Sequence, residues 1–280
     1  MSKKVNYIVA CYMGERRQLD ATPMAYVKNH LEWLDTAKNI GDVMFVFNDS
    51  PQHRPQQVEA IKLVQQKGYN FMTRANNNVS YGAWKDALHT IVPTTKSNYS
   101  FLIEDDYIPS TPNIMSYFIK EMDDKTGFVA SYYEDEDNWH RNQPHAAISN
   151  GLISHIPLKE LIKSTKPIFH LNAKYTSNEQ YHMACNDQKI FLNNIEKLNY
   201  QMKDITNNNY TLFYDAEIDS QGIHLYGNKN GKCLIKPNFP YLSLKNYGDD
   251  SYNTRKFSIP STKSNYSFLI EDDLNFNKDD

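Results

Sequence analysis

The chain has 280 residues, 30 of them basic and 33 acidic, for a formal net charge of -3, and 40% are hydrophobic. That length supports one large core, or one domain with a C-terminal extension, and the interspersed charges exclude a nucleic-acid binder that relies on a broad cationic face. Cys11, Cys185 and Cys233 are far apart and odd in number, which excludes a disulfide framework and a four-cysteine zinc site.

In chain order, residues 5–11 read as a buried strand, and Thr22 with Pro23 then supplies an N-cap and a first-turn proline for a helix whose Val27, Leu31 and Leu34 share one face. The apolar stretch within residues 5–10 is interrupted by Asn6 and too short for a signal anchor, and no other run approaches a membrane span. A soluble, cytoplasmic protein is expected, with peripheral attachment to a membrane bearing its substrate left open. Residues 42–48 form a second strand that closes in Asp49. Pro55 opens a helix with Val58, Ile61 and Val64 inward, and Gly68 stops it. Residues 69–73 make a third strand, Ser80 caps a helix striped by Trp84, Ala87, Leu88 and Ile91, and residues 98–103 return as a fourth strand. Thr111 and Pro112 start one more helix. This alternation implies an α/β fold, a mostly parallel sheet covered by helices on both faces.

The fourth strand ends in Glu104, Asp105 and Asp106, three carboxylates where a buried strand emerges into solvent. Alternation sends Glu104 and Asp106 to one side and Asp105 to the other. At the carboxyl end of a strand in an α/β sheet such a cluster suits a hard divalent ion that already holds a phosphate, the bland alternative being a solvated acidic turn. From about Gly127 the rhythm changes to short strand-like runs at 128–133, 210–215, 222–226 and 233–236, separated by polar loops. We therefore divide the chain into a nucleotide-binding half at 1–126, an acceptor-binding half of the same domain at 127–245, and a tail at 246–280. Residues 95–106 recur letter for letter as 262–273 inside that tail, with no helix after the second copy to build an equivalent site. The repeat reads as a copied segment and not as a second active centre.

Four strand–helix units whose last strand ends in Glu104-Asp105-Asp106 resemble the GT-A class of nucleotide-sugar glycosyltransferases, in a family 2-like form with a Glu-Asp-Asp variant of its Asp-x-Asp element. The resemblance covers residues 5–236 and implies a GT-A-like, Rossmann-related fold with a mixed acceptor-binding half. It implies a UDP- or GDP-sugar donor, a carbohydrate or glycoconjugate acceptor, and Mn2+ or Mg2+ as cofactor. Carried over by position, Cys11, Tyr12, Glu15 and Asp49 fall at the nucleotide, Asp106 ligates the ion, and Asp105 or Glu104 acts through water or on the ribose. Asp187 before residues 189–192 is the implied base of an inverting transfer; its own reading is equally an N-cap, with Glu179 as the substitute base. His224 is either a further metal ligand or a structural strand histidine. Arg74 with Asn76, Asn77 and Asn78 is either a nucleotide contact or a surface turn. The acidic run at 134–137 with Trp139 reads as a solvated loop or an acceptor lid. A sugar-phosphate nucleotidyltransferase is the runner-up, although residues 11–17 hold a single glycine where that class carries a glycine-rich basic loop; a binding protein of the same fold is the third reading.

Overall fold

The computed structural model describes residues 4–12, 24–49, 54–76, 79–105, 107–109, 111–131, 133–134, 145–146, 150–164, 191, 193–205, 210–211, 213–219, 222–227, 232–235 and 268–270. In the first part β1 (Val5–Tyr12), α1 (Met24–Leu34), β2 (Ile40–Asp49), α2 (Arg54–Gln66), β3 (Asn70–Ala75), α3 (Val79–Ile91) and β4 (Tyr99–Glu104) alternate as expected. Next come β5 (Tyr107–Pro109), α4 (Ile114–Glu121), β6 (Thr126–Ala130), β7 (Tyr133–Glu134), β8 (His145–Ala146), β9 (Gly151–Ser154), α5 (His155–Lys163) and β10 (Gln201–Asp204). The last strands are β11 (Tyr210–Thr211), β12 (Phe213–Asp219), β13 (Gly222–Gly227), β14 (Lys232–Ile235) and β15 (Phe268–Ile270).

Seven strands form the main sheet in the order β10-β6-β9-β4-β1-β2-β3. All neighbours pair in parallel except β9, which runs antiparallel to both β4 and β6. Strands before and after residue 126 thus share one sheet. The central parallel strands are covered on both faces, so their sequences are largely apolar, whereas the edge strand β3 is not. β1 shows this directly: seven of its eight residues are buried.

The pleat sorts those side chains into two cores. Odd-numbered residues Tyr7, Val9 and Cys11 of β1 and Phe101 and Ile103 of β4 pack with Val27, Leu31 and Leu34 of α1, Val64 of α2 and Phe118 of α4. Even-numbered Ile8, Ala10 and Leu102 pack with Trp84, Ala87 and Leu88 of α3, Leu158 of α5 and Ile195. Each fully buried side chain of this size contributes about 1.5–3 kcal/mol. Gly127 of β6 permits the second packing: a Cβ there would lie 2.5 Å from Cγ2 of Ile195 and 2.9 Å from Cβ of Tyr200.

Helix ends follow local chemistry, with some departures from expectation. α2 stops in a Schellman motif, because Gly68 takes φ +75 and the N–H groups of Gly68 and Tyr69 bond the carbonyls of Gln65 and Val64. Its buried face is Gln57, Ala60 and Val64, while Val58 is 46% exposed. The expectation that Val58 points inward fails because Val58 lies a third of a helical turn from Val64, and the chain buries polar Gln57 in its place. α3 begins at Val79, so Ser80 sits in the first turn and not at the cap. β5, β9 and α5 have no counterpart in the expected elements. Ser154 caps α5, its side chain accepting from the N–H of Ile156 at 3.3 Å.

Three smaller sheets follow among the described residues, the β7–β8 pair and two of three strands. β5, immediately beyond the acidic triplet, pairs with β12, and β12 pairs with β13. In the tail, Phe268–Ile270 of the copied segment pairs antiparallel with β14, so these three residues are strand in both copies.

Candidate functional site

The chain leaves β1 towards β2 and β3 on one side and later lays β4 against the other side of β1. The order therefore reverses between β1 and β4, the kind of position at which open α/β sheets bind ligands beyond the carboxyl ends of their strands. Register aligns those ends: Ala10 pairs with Glu104, Tyr12 with Asn48, and Asn48 with Arg74. A row of polar groups results, laid across four strand tips.

On the α3 face the row is tightly bonded. The Ser80 hydroxyl donates to Oε1 of half-buried Glu104. Arg74 donates from Nε to Oδ2 of Asp86 on α3 and from Nη1 to Oδ1 of Asn48, both at 2.7 Å. Asn48 is buried and Arg74 largely so, so the guanidinium plane is fixed before any ligand arrives. A preset guanidinium favours planar oxyanions, above all phosphate and carboxylate. At the end of β3, Oδ1 of Asn76 is shielded from solvent and has no hydrogen-bond partner among the described residues.

On the opposite face the acidic turn is locked from beneath. Asp105 is 1% exposed. Its N–H donates to the Ala10 carbonyl at 3.0 Å, its Oδ2 accepts the N–H of Tyr12 at 3.1 Å, and its carbonyl lies 3.0 Å from Nε2 of His30 on α1. Nδ1 of His30 in turn lies 2.9 Å from the Tyr7 hydroxyl. Facing a carbonyl, Nε2 can only donate; in the neutral ring Nδ1 then accepts from Tyr7. Burial pushes the Tyr7 hydroxyl well above its ordinary pKa, with Cys11 a smaller contributor in the same direction, which keeps its proton available for that bond.

The remaining residues singled out from sequence are distributed as follows. Cys11 is fully buried in the α1-side core, its Sγ 3.9 Å from the Val9 carbonyl. Asp49 ends β2 and pairs with Arg54 at 3.4 Å on the surface. His224 lies on β13 opposite Glu217 of β12. β12 in turn pairs with β5, which begins just beyond the acidic triplet, through Asp215 and Tyr107. Asp106, Glu15, Asp187, Glu179, Asn77, Asn78 and Trp139 lie outside the described residues. Asn48, Asp86 and His30 were not anticipated. For Asn48 and His30 a signal existed, since Asn48 continues the alternation of Met44 and Val46, and His30 completes the spacing of Val27, Leu31 and Leu34.

No protein-family model and no curated protein matches the chain. Among solved structures it is similar to the mannosyltransferase PcManGT from Pyrobaculum calidifontis, in complex with GDP-Man and Mn2+, over 73% of this chain and 55% of that one, at 10% identity and a TM-score of 0.48. It is similar to CMP:2-keto-3-deoxy-manno-octonic acid synthetase complexed with CTP over 72% of this chain and 90% of that one, at 12% identity and 0.44. A third is 4-diphosphocytidyl-2C-methyl-D-erythritol synthase from Anaerococcus prevotii, with 73% and 89% covered, 10% identity and 0.42. The chain spans about half the length of the mannosyltransferase. At such identities and scores nothing about reaction or ligand passes from these enzymes to this chain.

Proposed function

We propose that the chain is a metal-dependent glycosyltransferase that moves a sugar from a UDP- or GDP-sugar to a hydroxyl of a carbohydrate or glycoconjugate acceptor. The observation that carries the reading is the acidic turn at the β1–β4 reversal, gripped through Tyr12, Ser80 and His30 and set in a row with an immobilised arginine.

The donor set at that turn consists of carboxylate oxygens, which suits a hard cation such as Mn2+ or Mg2+. Among the described residues no three His, Cys, Asp or Glu side chains gather closely enough to hold a metal, so the ion would draw on Asp106. Glu104 would assist through water or on the ribose, and His224 on β13 is a candidate further ligand. Bound there, the ion would supply neutralisation of the nucleoside diphosphate as a leaving group. Every other contribution belongs to the chain. Asp105 sets the geometry of the turn by capping the Tyr12 N–H. Arg74, prepared by Asn48 and Asp86, would meet the anionic or hydrogen-bonding edge of the nucleotide, with Tyr12, Glu15 and Asp49 completing its surroundings, whereas Cys11, sealed in the α1-side core, would act only by packing beneath them. Asp187 would take the proton of the acceptor hydroxyl as the sugar inverts.

The test incubates the protein with Mn2+ and a panel of UDP-, GDP- and dTDP-sugars and follows free sugar and nucleoside diphosphate. Slow donor hydrolysis is expected, and Asp106→Ala should abolish metal-dependent nucleotide binding. Unimpaired binding by that variant would remove Asp106 from the site. Pyrophosphate release from a nucleoside triphosphate and a sugar phosphate would reassign the protein to nucleotidyl transfer. Metal-dependent nucleotide binding with no turnover of any donor would make it a binding protein of the same fold.

A further inference from the structure

His30 is an anomaly in the middle of α1. Its neighbours on the same stripe, Val27, Leu31 and Leu34, are apolar, and its ring packs edge-on to Phe45 and tilted against Tyr7 in the α1-side core. Burying an imidazole there costs free energy unless both nitrogens are bonded, and both are: Nδ1 to the Tyr7 hydroxyl at 2.9 Å and Nε2 to the Asp105 carbonyl at 3.0 Å.

The carbonyl of Asp105 belongs to the peptide that joins Asp105 to Asp106. We infer that Tyr7 and His30 are positioning residues for the acidic turn: a buried relay from the Tyr7 hydroxyl through the His30 imidazole fixes the direction of the Asp105 carbonyl, and with it the backbone from which the proposed metal site is built. The inference rests on the metal reading of Asp106. Two other bonds already hold the near side of the turn, from the Asp105 N–H to Ala10 and from the Tyr12 N–H to the Asp105 carboxylate. Neither restrains rotation of the following peptide. His30 grips that peptide at its carbonyl, and Tyr7 selects the ring orientation from the adjacent strand. Tyr7 is itself clamped, its ring 4.8 Å from that of Trp33 and stacked on Phe101 at 6.1 Å, so the relay starts from a rigid point of the sheet.

The experiment compares wild type with His30→Leu, His30→Gln and Tyr7→Phe. Mn2+ is titrated against each folded protein in the presence of GDP or UDP, with the nucleotide's binding as the signal, and urea midpoints are measured alongside. Removal of the donor in His30→Leu should raise the Mn2+ concentration for half-maximal binding about tenfold, and loss of one hydroxyl in Tyr7→Phe about threefold. His30→Gln, which can still donate to the Asp105 carbonyl, should stay close to wild type. A helix anchor with no role at the turn would change the urea midpoints only. An unchanged Mn2+ midpoint in folded His30→Leu, or a rise in His30→Gln equal to that in His30→Leu, overturns the relay and leaves the metal reading standing. If wild type binds neither nucleotide in a Mn2+-dependent way, the metal reading falls and the relay with it. Should His30→Leu not fold, Tyr7→Phe decides, an unchanged midpoint overturning the relay.

Discussion

Lowering the pH should weaken this fold through a single buried histidine. His155, the first residue of α5, is 2% exposed, with Nδ1 2.8 Å from the Ser97 carbonyl and Nε2 2.8 Å from the Ser100 hydroxyl. Nδ1 must donate to the carbonyl, so Nε2 accepts, and the bonded ring is neutral. Burial lowers its pKa from the ordinary 6.5 to about 4, partly opposed by the bond to Ser97. The unfolded chain therefore takes up the proton first as pH falls. Stability contributed by the neutral ring is fully present above 6.5, declines as pH drops below it, and is gone below about 4. With those two pKa values the loss is about 2 kcal/mol between pH 7.5 and pH 5, and about 3 kcal/mol below pH 4. Urea unfolding, followed by fluorescence of the buried Trp33 and Trp84, measures it at each pH. Carboxylates also titrate over that range, so the decisive comparison is with His155→Asn, which keeps a donor to Ser97 and cannot be protonated. This variant should be less stable at pH 7.5 and should lose about 2 kcal/mol less than wild type on going to pH 5. Identical losses in the two proteins would show that His155 does not titrate as its burial requires.

Gly127→Ala places a methyl 2.5 Å from Cγ2 of Ile195 and should cost about 1–3 kcal/mol in urea unfolding, whereas a gain in stability would mean that residues 193–197 do not press on β6 as described. Arg74→Ala removes the Asp86 and Asn48 contacts. It should weaken nucleoside diphosphate binding about tenfold while lowering stability by no more than about 1.5 kcal/mol, and undiminished affinity by calorimetry would exclude Arg74 from the site.

The first half of the fold was legible because parallel strands announce themselves as apolar runs and their helices carry stripes. Val5–Tyr12 and Tyr99–Glu104 needed little more than that, and the placement of Glu104 and Asp105 on opposite faces followed from the pleat. Gly151–Ser154 was not legible, since Leu152 and Ile153 between a glycine and a serine are too short a run to show a period, and its antiparallel place between β4 and β6 is a tertiary fact. Ser80 illustrates a different limit. A serine beside a helix start reads as a cap, and only the placement of α3 beside β4 reveals that its hydroxyl serves Glu104. His30 stood in plain view on its stripe, but its partner lies 75 residues away. Nothing local encodes such a bond.

The duplicated twelve residues give this chain a built-in control. Phe101, Leu102 and Ile103 have β1 on one flank and β9 running past the other, whereas among the described residues Phe268, Leu269 and Ile270 pair only with β14, at the rim of a three-stranded sheet. The chemical rate at which an amide trades its proton for deuterium depends on neighbouring side chains, which are the same in both places. Any difference in deuterium uptake between the two segments therefore reports enclosure by the rest of the molecule, with amino-acid identity cancelled.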